Sequence, residues 1–203
     1  MTIGGSVAEL GRRERKKLQT RAALEHAALT LVAERGLAGV TVEDIAAAAD
    51  VSERTFFNYF RSKEDALVGP GPVPLAELQE RLTALPAGLP VLEALRLIAR
   101  AEAERLQEQR EQWLLRLKVF ERNPSLFPRI AAGCAETERA VAAAVARRTG
   151  VASGSGYPEL VAAVVTAAFR VALMRWSAAG GHPDLVDLVD EAFARLAAGL
   201  PHP

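Results

Sequence analysis

Apolar residues along this 203-residue chain recur at three- and four-residue spacing, and strict alternation of apolar and polar positions is rare. The pattern predicts helices and requires no sheet. A first helix is expected from about Arg12 to Arg35, with Leu24, Ala28 and Leu31 on one face and Gly36 as its stop. Thr41 to Asp44 has capping-box spacing, and Val42, Ile45, Ala46 and Ala49 then form a short apolar stripe. Asp50 and Val51 make a tight turn, Ser52 caps a third helix through about Phe60, and Ser62 with Asp65 opens a fourth. The stretches PGPVP (70–74) and LPAGLP (85–90) interrupt the pattern and place a domain boundary near residue 70, dividing the chain into 1–69 and 70–203. Five further helices are expected at about Pro90–Gln109, Arg110–Arg122, Pro124–Thr149, Tyr157–Ala179 and Pro183–Ala198, about nine in an all-α chain.

The short pair beginning at Thr41 and Ser52 has helix-turn-helix proportions, in which the second helix enters the major groove of DNA. Aromatic residues make up 5% of the chain, yet Phe56, Phe57, Tyr59 and Phe60 fall within five positions. Phe56 and Phe60, four apart, share the face that packs on the preceding helix. Arg54, Thr55, Phe57, Asn58 and Tyr59 lie off that face. Arg can bond guanine bidentately, Asn can read adenine, Thr serves either, and a ring can meet a thymine methyl. Lys63, Tyr59 and Thr41 are placed to bond phosphates.

Composition narrows the classes. Half the residues are hydrophobic and a quarter charged, enough for a substantial core. The formal net charge of zero hides a basic run, Leu10 to Arg21, with six cations against Glu14; as a flexible arm it can follow the DNA backbone or enter a minor groove. One cysteine excludes an internal disulfide framework, and without a leader-like start a cytoplasmic location is expected. Leu160 to Ala179 is interrupted by Thr166, Arg170 and Arg175, which argues against a membrane span. His26, His182 and His202 are scattered, and no nucleophile sits in a motif with its base. Neither an enzyme, a metal site nor a cofactor is expected.

In the later segments, Trp113, Leu117 and Phe120 on one helix and Phe127, Ile130 and Cys134 on the next, with Phe169, are candidates to line a ligand pocket; ordinary core packing is the rival reading, and Cys134 is expected to be buried. Arg116, Arg122 and Arg170 are the cations to consider for an anionic ligand head. Tyr157–Ala179 is apolar nearly all round and needs cover on more than one side. The last helix is amphipathic.

From Arg21 to Leu67, the order and spacing of an apolar helix ending in ERG, then TVEDIAAAA, VSERTFFNYF and SKEDAL, resemble the DNA-binding domain of the TetR family of bacterial repressors. The resemblance implies DNA contacts from Thr41, Ser52, Glu53, Arg54, Thr55, Phe57, Asn58, Tyr59 and Lys63. It also implies a helical ligand-binding and dimerisation domain in 70–203, and a homodimer on double-stranded operator DNA released by a small apolar or amphipathic effector, acyl-CoA-like or drug-like. The dimer interface is then expected at Val161, Val165, Ala168, Ala172, Trp176, Leu188, Ala192 and Phe193. Two positions depart from the family pattern: Asp50 stands where glycine is frequent in the turn, and Phe57 where a tyrosine often meets phosphate. The alternative is a helical carrier of a small molecule or partner protein without sequence-specific DNA binding, which leaves Arg54, Thr55, Asn58 and the basic run unexplained.

Overall fold

The computed structural model describes residues 11–69, 75–152 and 154–199. Among them are ten α-helices and no strand: α1 Arg12–Arg35, α2 Val42–Ala48, α3 Glu53–Phe57, α4 Lys63–Val68, α5 Leu75–Ala84, α6 Val91–Glu108, α7 Arg110–Arg122, α8 Phe127–Thr149, α9 Tyr157–Ala178 and α10 Leu185–Ala197. The all-helical expectation holds, and α1 and α7 have the expected limits. Helix α3 is shorter than expected, ending at Phe57, although the Phe60 N–H still donates to the Phe56 carbonyl at 3.0 Å. At the start of α8, Pro124–Leu126 forms a 3₁₀ turn instead of α-helix.

Helix α5 is the one element that the sequence pattern did not predict. Two proline-rich interruptions flank it closely, yet LAELQERLTA carries Leu75, Leu78 and Leu82 at helical spacing. Leu78 and Leu82 are buried. The turn after α5 is held by Arg148 of α8, which donates to the carbonyls of Leu82 (2.6 Å), Pro86 (2.6 Å) and Leu89 (3.2 Å).

The chain divides into two compact units. Residues to Gly69 group with Lys118–Pro124, and Pro70–Leu117 groups with the rest, so the last turn of α7 falls with the first unit. The first unit packs Leu24, Ala28, Leu29 and Val32 of α1 with Ile45, Phe56, Phe60 and Leu67 in a buried core. The basic residues from Arg12 onward lie inside α1 itself, not in an arm that precedes it; residues 1–10 lie outside the described residues.

The core of the second unit is built around α9, which packs on α8, α10 and α6. Most of the residues expected at the interface are instead covered within one chain. Val165, Ala168, Ala172, Trp176, Leu188 and Phe193 are buried within one chain, and Val161 and Ala192 are packed against the same core. An all-apolar helix tells a reader that it needs cover on several sides, but not which neighbour takes which stripe. The stripe left over is another one: Leu160 is 62% exposed, Val171 48% and Met174 59%. By length and composition α9 could cross a bilayer; here its buried stripe is the centre of a helical core.

Ion pairs fasten α10 to its neighbours. Asp190 accepts from Arg96 (2.6 Å) and from Arg100, both on α6, while Glu191 accepts from Arg175 of α9 (2.9 Å). Between α9 and α10, Gly181 has φ 88°, and a Cβ there would collide with the guanidinium of Arg110, whose Nη2 donates to the Gly180 carbonyl at 2.8 Å. We expect Gly181→Ala to destabilise the protein by about 1–3 kcal/mol, read from its denaturant midpoint. In an Arg110→Ala background, which already lacks that bond, Gly181→Ala should cost less by the steric part alone, because the backbone strain stays.

Candidate DNA-binding surface

The helix pair is assembled by three local devices. At the start of α2 the Thr41 hydroxyl accepts from the Asp44 N–H (3.1 Å), while the Thr41 N–H and hydroxyl both donate to Asp44 Oδ2 (2.8 Å each). These bonds, the backbone one first, hold the Asp44 carboxyl below the ordinary aspartate range. At its end, Asp50 adopts φ 53°, its N–H donating to the Ala47 carbonyl (3.1 Å) and that of Val51 to the Ala46 carbonyl (3.0 Å). That pattern is a Schellman stop with aspartate in the left-handed position, so the departure from glycine leaves the turn intact. At the start of α3, Ser52 accepts from the Thr55 N–H (3.2 Å), and the two hydroxyls share a bond of 2.9 Å.

Helix α3 has two faces. Phe56 and Phe60 are buried, their ring centroids 5.5 Å apart. Glu53, Arg54, Phe57 and Asn58 are exposed, and Thr55 and Tyr59 are half-buried. The side chains of Arg54 and Asn58 have no hydrogen-bond or ion-pair partner among the described residues. A guanidinium and an amide are thereby presented on a helix whose opposite face is fixed by two rings. Such a pair can meet base edges.

Three residues have partners within the chain that the sequence did not show. Lys63 Nζ donates to the carbonyls of Leu37 and Val40, both at 2.7 Å, so its ammonium ties the start of α4 to the loop after α1. Its place in the sequence aimed it at phosphate, because distant carbonyls cannot be seen from a lysine's neighbours. Thr41 has its only hydroxyl proton engaged by Asp44, which leaves no donor for a phosphate. Arg21, read only as part of the basic run, lies 4.7 Å over the Phe60 ring and donates to Glu25 at 3.0 Å. No local signal marks the ring contact, since the two residues are far apart in sequence.

The ligand candidates fare unevenly. Trp113, Leu117, Ile130 and Phe169 are half-buried in the second unit, with Phe169 and Trp113 packed on its core. Phe127 is 53% exposed and Cys134 is exposed, because no described buried residue of α8 precedes Val141 and that part of the helix lies at the surface. Phe120, half-buried, falls in the segment that groups with the first unit. Arg116 is buried, its guanidinium carbon 4.5 Å from the Trp113 ring centroid, whereas Arg122 and Arg170 are exposed. The Trp113 Nε1 is buried without a hydrogen-bond partner among the described residues. We expect Lys63→Met to lower stability by about 1–3 kcal/mol while leaving the salt dependence of DNA binding unchanged. A flatter salt slope in that variant would show that the third N–H of the Lys63 ammonium also meets a phosphate.

Known proteins resemble the chain in both its N-terminal and its C-terminal part. A family model described as bacterial regulatory proteins, tetR family, matches residues 24–68, and one described as the MftR C-terminal domain matches 89–201. The HTH-type transcriptional regulator TcmR of Streptomyces glaucescens is 31% identical over 177 residues, covering 82% of this chain and 76% of that protein. The Mycobacterium tuberculosis protein named as the mycofactocin biosynthesis transcriptional regulator MftR is 28% identical over 191 residues, covering 92% and 93%. Among solved structures, the fatty acid degradation regulator FadR from Bacillus halodurans superposes with a TM-score of 0.61 at 18% identity over 91% of this chain and 97% of that one. FadR of Thermus thermophilus, a transcriptional repressor in complex with lauroyl-CoA, superposes with a TM-score of 0.57 at 28% identity over 90% and 98%.

Proposed function

The chain belongs to the TetR family of bacterial regulatory proteins, and from that premise we propose that this DNA-binding regulator is a homodimeric repressor, released from a palindromic operator by an amphipathic effector. The observation that carries the reading is the two-faced α3. Phe56 and Phe60 are buried, and Arg54, Phe57 and Asn58 stand exposed on the other side. Arg54 and Asn58 supply base contacts, Phe57 an apolar one, and Tyr59 together with Ser52 and Glu53 at the start of α3 approaches the backbone. The boundary between reading head and effector domain falls in 69–70, with the last turn of α7 added to the head.

One short helix gives little discrimination, at about 1–3 kcal/mol per good bidentate contact; two linked readers roughly double it. The uncovered face of α9 is where a second copy docks. Leu160, Val171 and Met174 are exposed on it, and the half-buried Val164 and Ala167 lie between them at alternating spacings of four and three. Pairing across a twofold axis would then make a four-helix bundle from α9, α10 and their mates.

For the effector, the lauroyl-CoA complex of the 28% identical repressor supports an acyl chain with a polar head. Trp113, Leu117, Ile130 and Phe169 are the side chains that would meet the chain. Release requires that the effector prefer one conformer over the other; shifting a population from 99:1 to 1:99 takes about 5.5 kcal/mol of selectivity.

Selection of bound sequences from a random duplex pool tests the reading, and a palindrome should be enriched. Sequence-blind, salt-sensitive binding alone would leave the helical carrier as the better account. Arg54→Ala should weaken operator binding by about 1–3 kcal/mol and relax preference at one base pair per half-site. Met174→Glu with Val171→Glu should give monomers by light scattering and abolish tight operator binding, with the helical content unchanged.

A further inference from the structure

The first two turns of α1 have a charge pattern that the helix-turn-helix does not use. Arg12, Arg13, Arg15, Lys16 and Lys17 set five cations against Glu14 within six residues. All are exposed, and none of the five makes a side-chain bond or ion pair among the described residues. Nothing apolar anchors them either. The first buried residue of α1 is Leu24, and Gly11 offers no side-chain cap.

These turns oppose their own helical form. Arg12 meets Arg15 and Lys16, and Arg13 meets Lys16 and Lys17, at the three- and four-residue spacings where like charges destabilise a helix. The cations also sit at the positive end of the helix dipole. A polyanion reverses both effects. Arg12, Arg15, Lys16 and Gln19 follow one another at helical spacing, so three of the cations share a side of the helix, while Arg13 and Lys17, one turn apart, lie elsewhere around it. The helix is fastened to the reading head at Arg21, over the ring of Phe60, three residues past the end of α3. With a rise of about 1.5 Å per residue, Arg12 stands about 14 Å beyond that point, the axial length of about four base pairs.

We propose that Arg12–Gln19 is a helix conditional on DNA, rigid only when its Arg12–Arg15–Lys16 side lies along the phosphate backbone flanking the half-site. It would act as a straight strut that adds affinity and no base preference, in contrast to a flexible arm threading a groove. The proposal rests on the DNA-binding reading of α3.

The test uses the full chain and a duplex carrying the selected operator, or a fixed random duplex should no operator emerge. Amide hydrogen exchange over residues 11–20 should be fast in the free protein and protected on the duplex. Arg12→Ala/Arg15→Ala/Lys16→Ala should lower the log–log salt slope by about 0.9 for each phosphate left without its cation, close to 3 per protomer, with base preference unchanged. Arg13→Ala/Lys17→Ala should lower it by less than half as much. Leu18→Pro keeps every cation and should weaken binding as the triple variant does, whereas Leu18→Ala should bind as the parent. Equal losses from both sets of cations with a harmless Leu18→Pro would mean a flexible arm, and an unchanged slope throughout would mean a solvated segment. Either result overturns the strut. Failure of the α3 reading shows separately, as loss of sequence preference with the slope differences intact.

Discussion

Burial of Phe56 and Phe60 is the constraint on which the reading head depends. Helix α3 has five residues, far below the length at which a helix survives in water by itself. Its backbone bonds cannot hold it. Two rings driven into the core of α1 and α2 do, and each removes enough apolar surface from water to contribute about 1.5–3 kcal/mol. With that face fixed, the residues opposite it are held on the outward side of the helix. The caps at Thr41 and Ser52 and the stop at Asp50 then set where α3 begins. The Arg21 guanidinium lies 4.7 Å over the Phe60 ring and adds a cation–ring contact to its burial.

The second unit solves a different problem. Helix α9 has few polar positions, so its packing is set by neighbours and not by its own periodicity. The ion pairs of α10 with Arg96, Arg100 and Arg175 supply what the apolar pattern lacks, a register. These pairs are half-exposed and individually add little stability. Their effect is directional, since a slipped α10 would separate Asp190 from two arginines at once.

How much could be read from the sequence follows from the range of each interaction. Caps, stops and the two faces of α3 depend on residues within four positions of each other, and Thr41, Asp50, Ser52, Phe56 and Phe60 were all legible. Lys63 was not, because its carbonyl partners lie 23 and 26 residues earlier. Neither was Arg21 on Phe60. The buried stripe of α9 passes for an interface for the same reason: Val165, Ala172 and Trp176 are apolar whichever surface they meet. Phe127 and Cys134 have the composition of a pocket lining but lie on a length of α8 that has no described buried residue, and only packing shows that. Helix α5 is the exception, a local signal present in Leu75, Leu78 and Leu82 and hidden by the prolines on either side.

The left-handed turn at Asp50 also bears on how the gene can drift. Aspartate, asparagine and glycine are the residues that accept this backbone with least strain, and their codons are joined by single-base changes through aspartate. The turn can therefore pass among all three without a strained intermediate. Glutamate, valine and alanine are equally near in codon space and do not share that tolerance, so position 50 should vary within a narrow chemical corridor while the exposed residues of α3, which no such backbone constraint binds, are free to diverge.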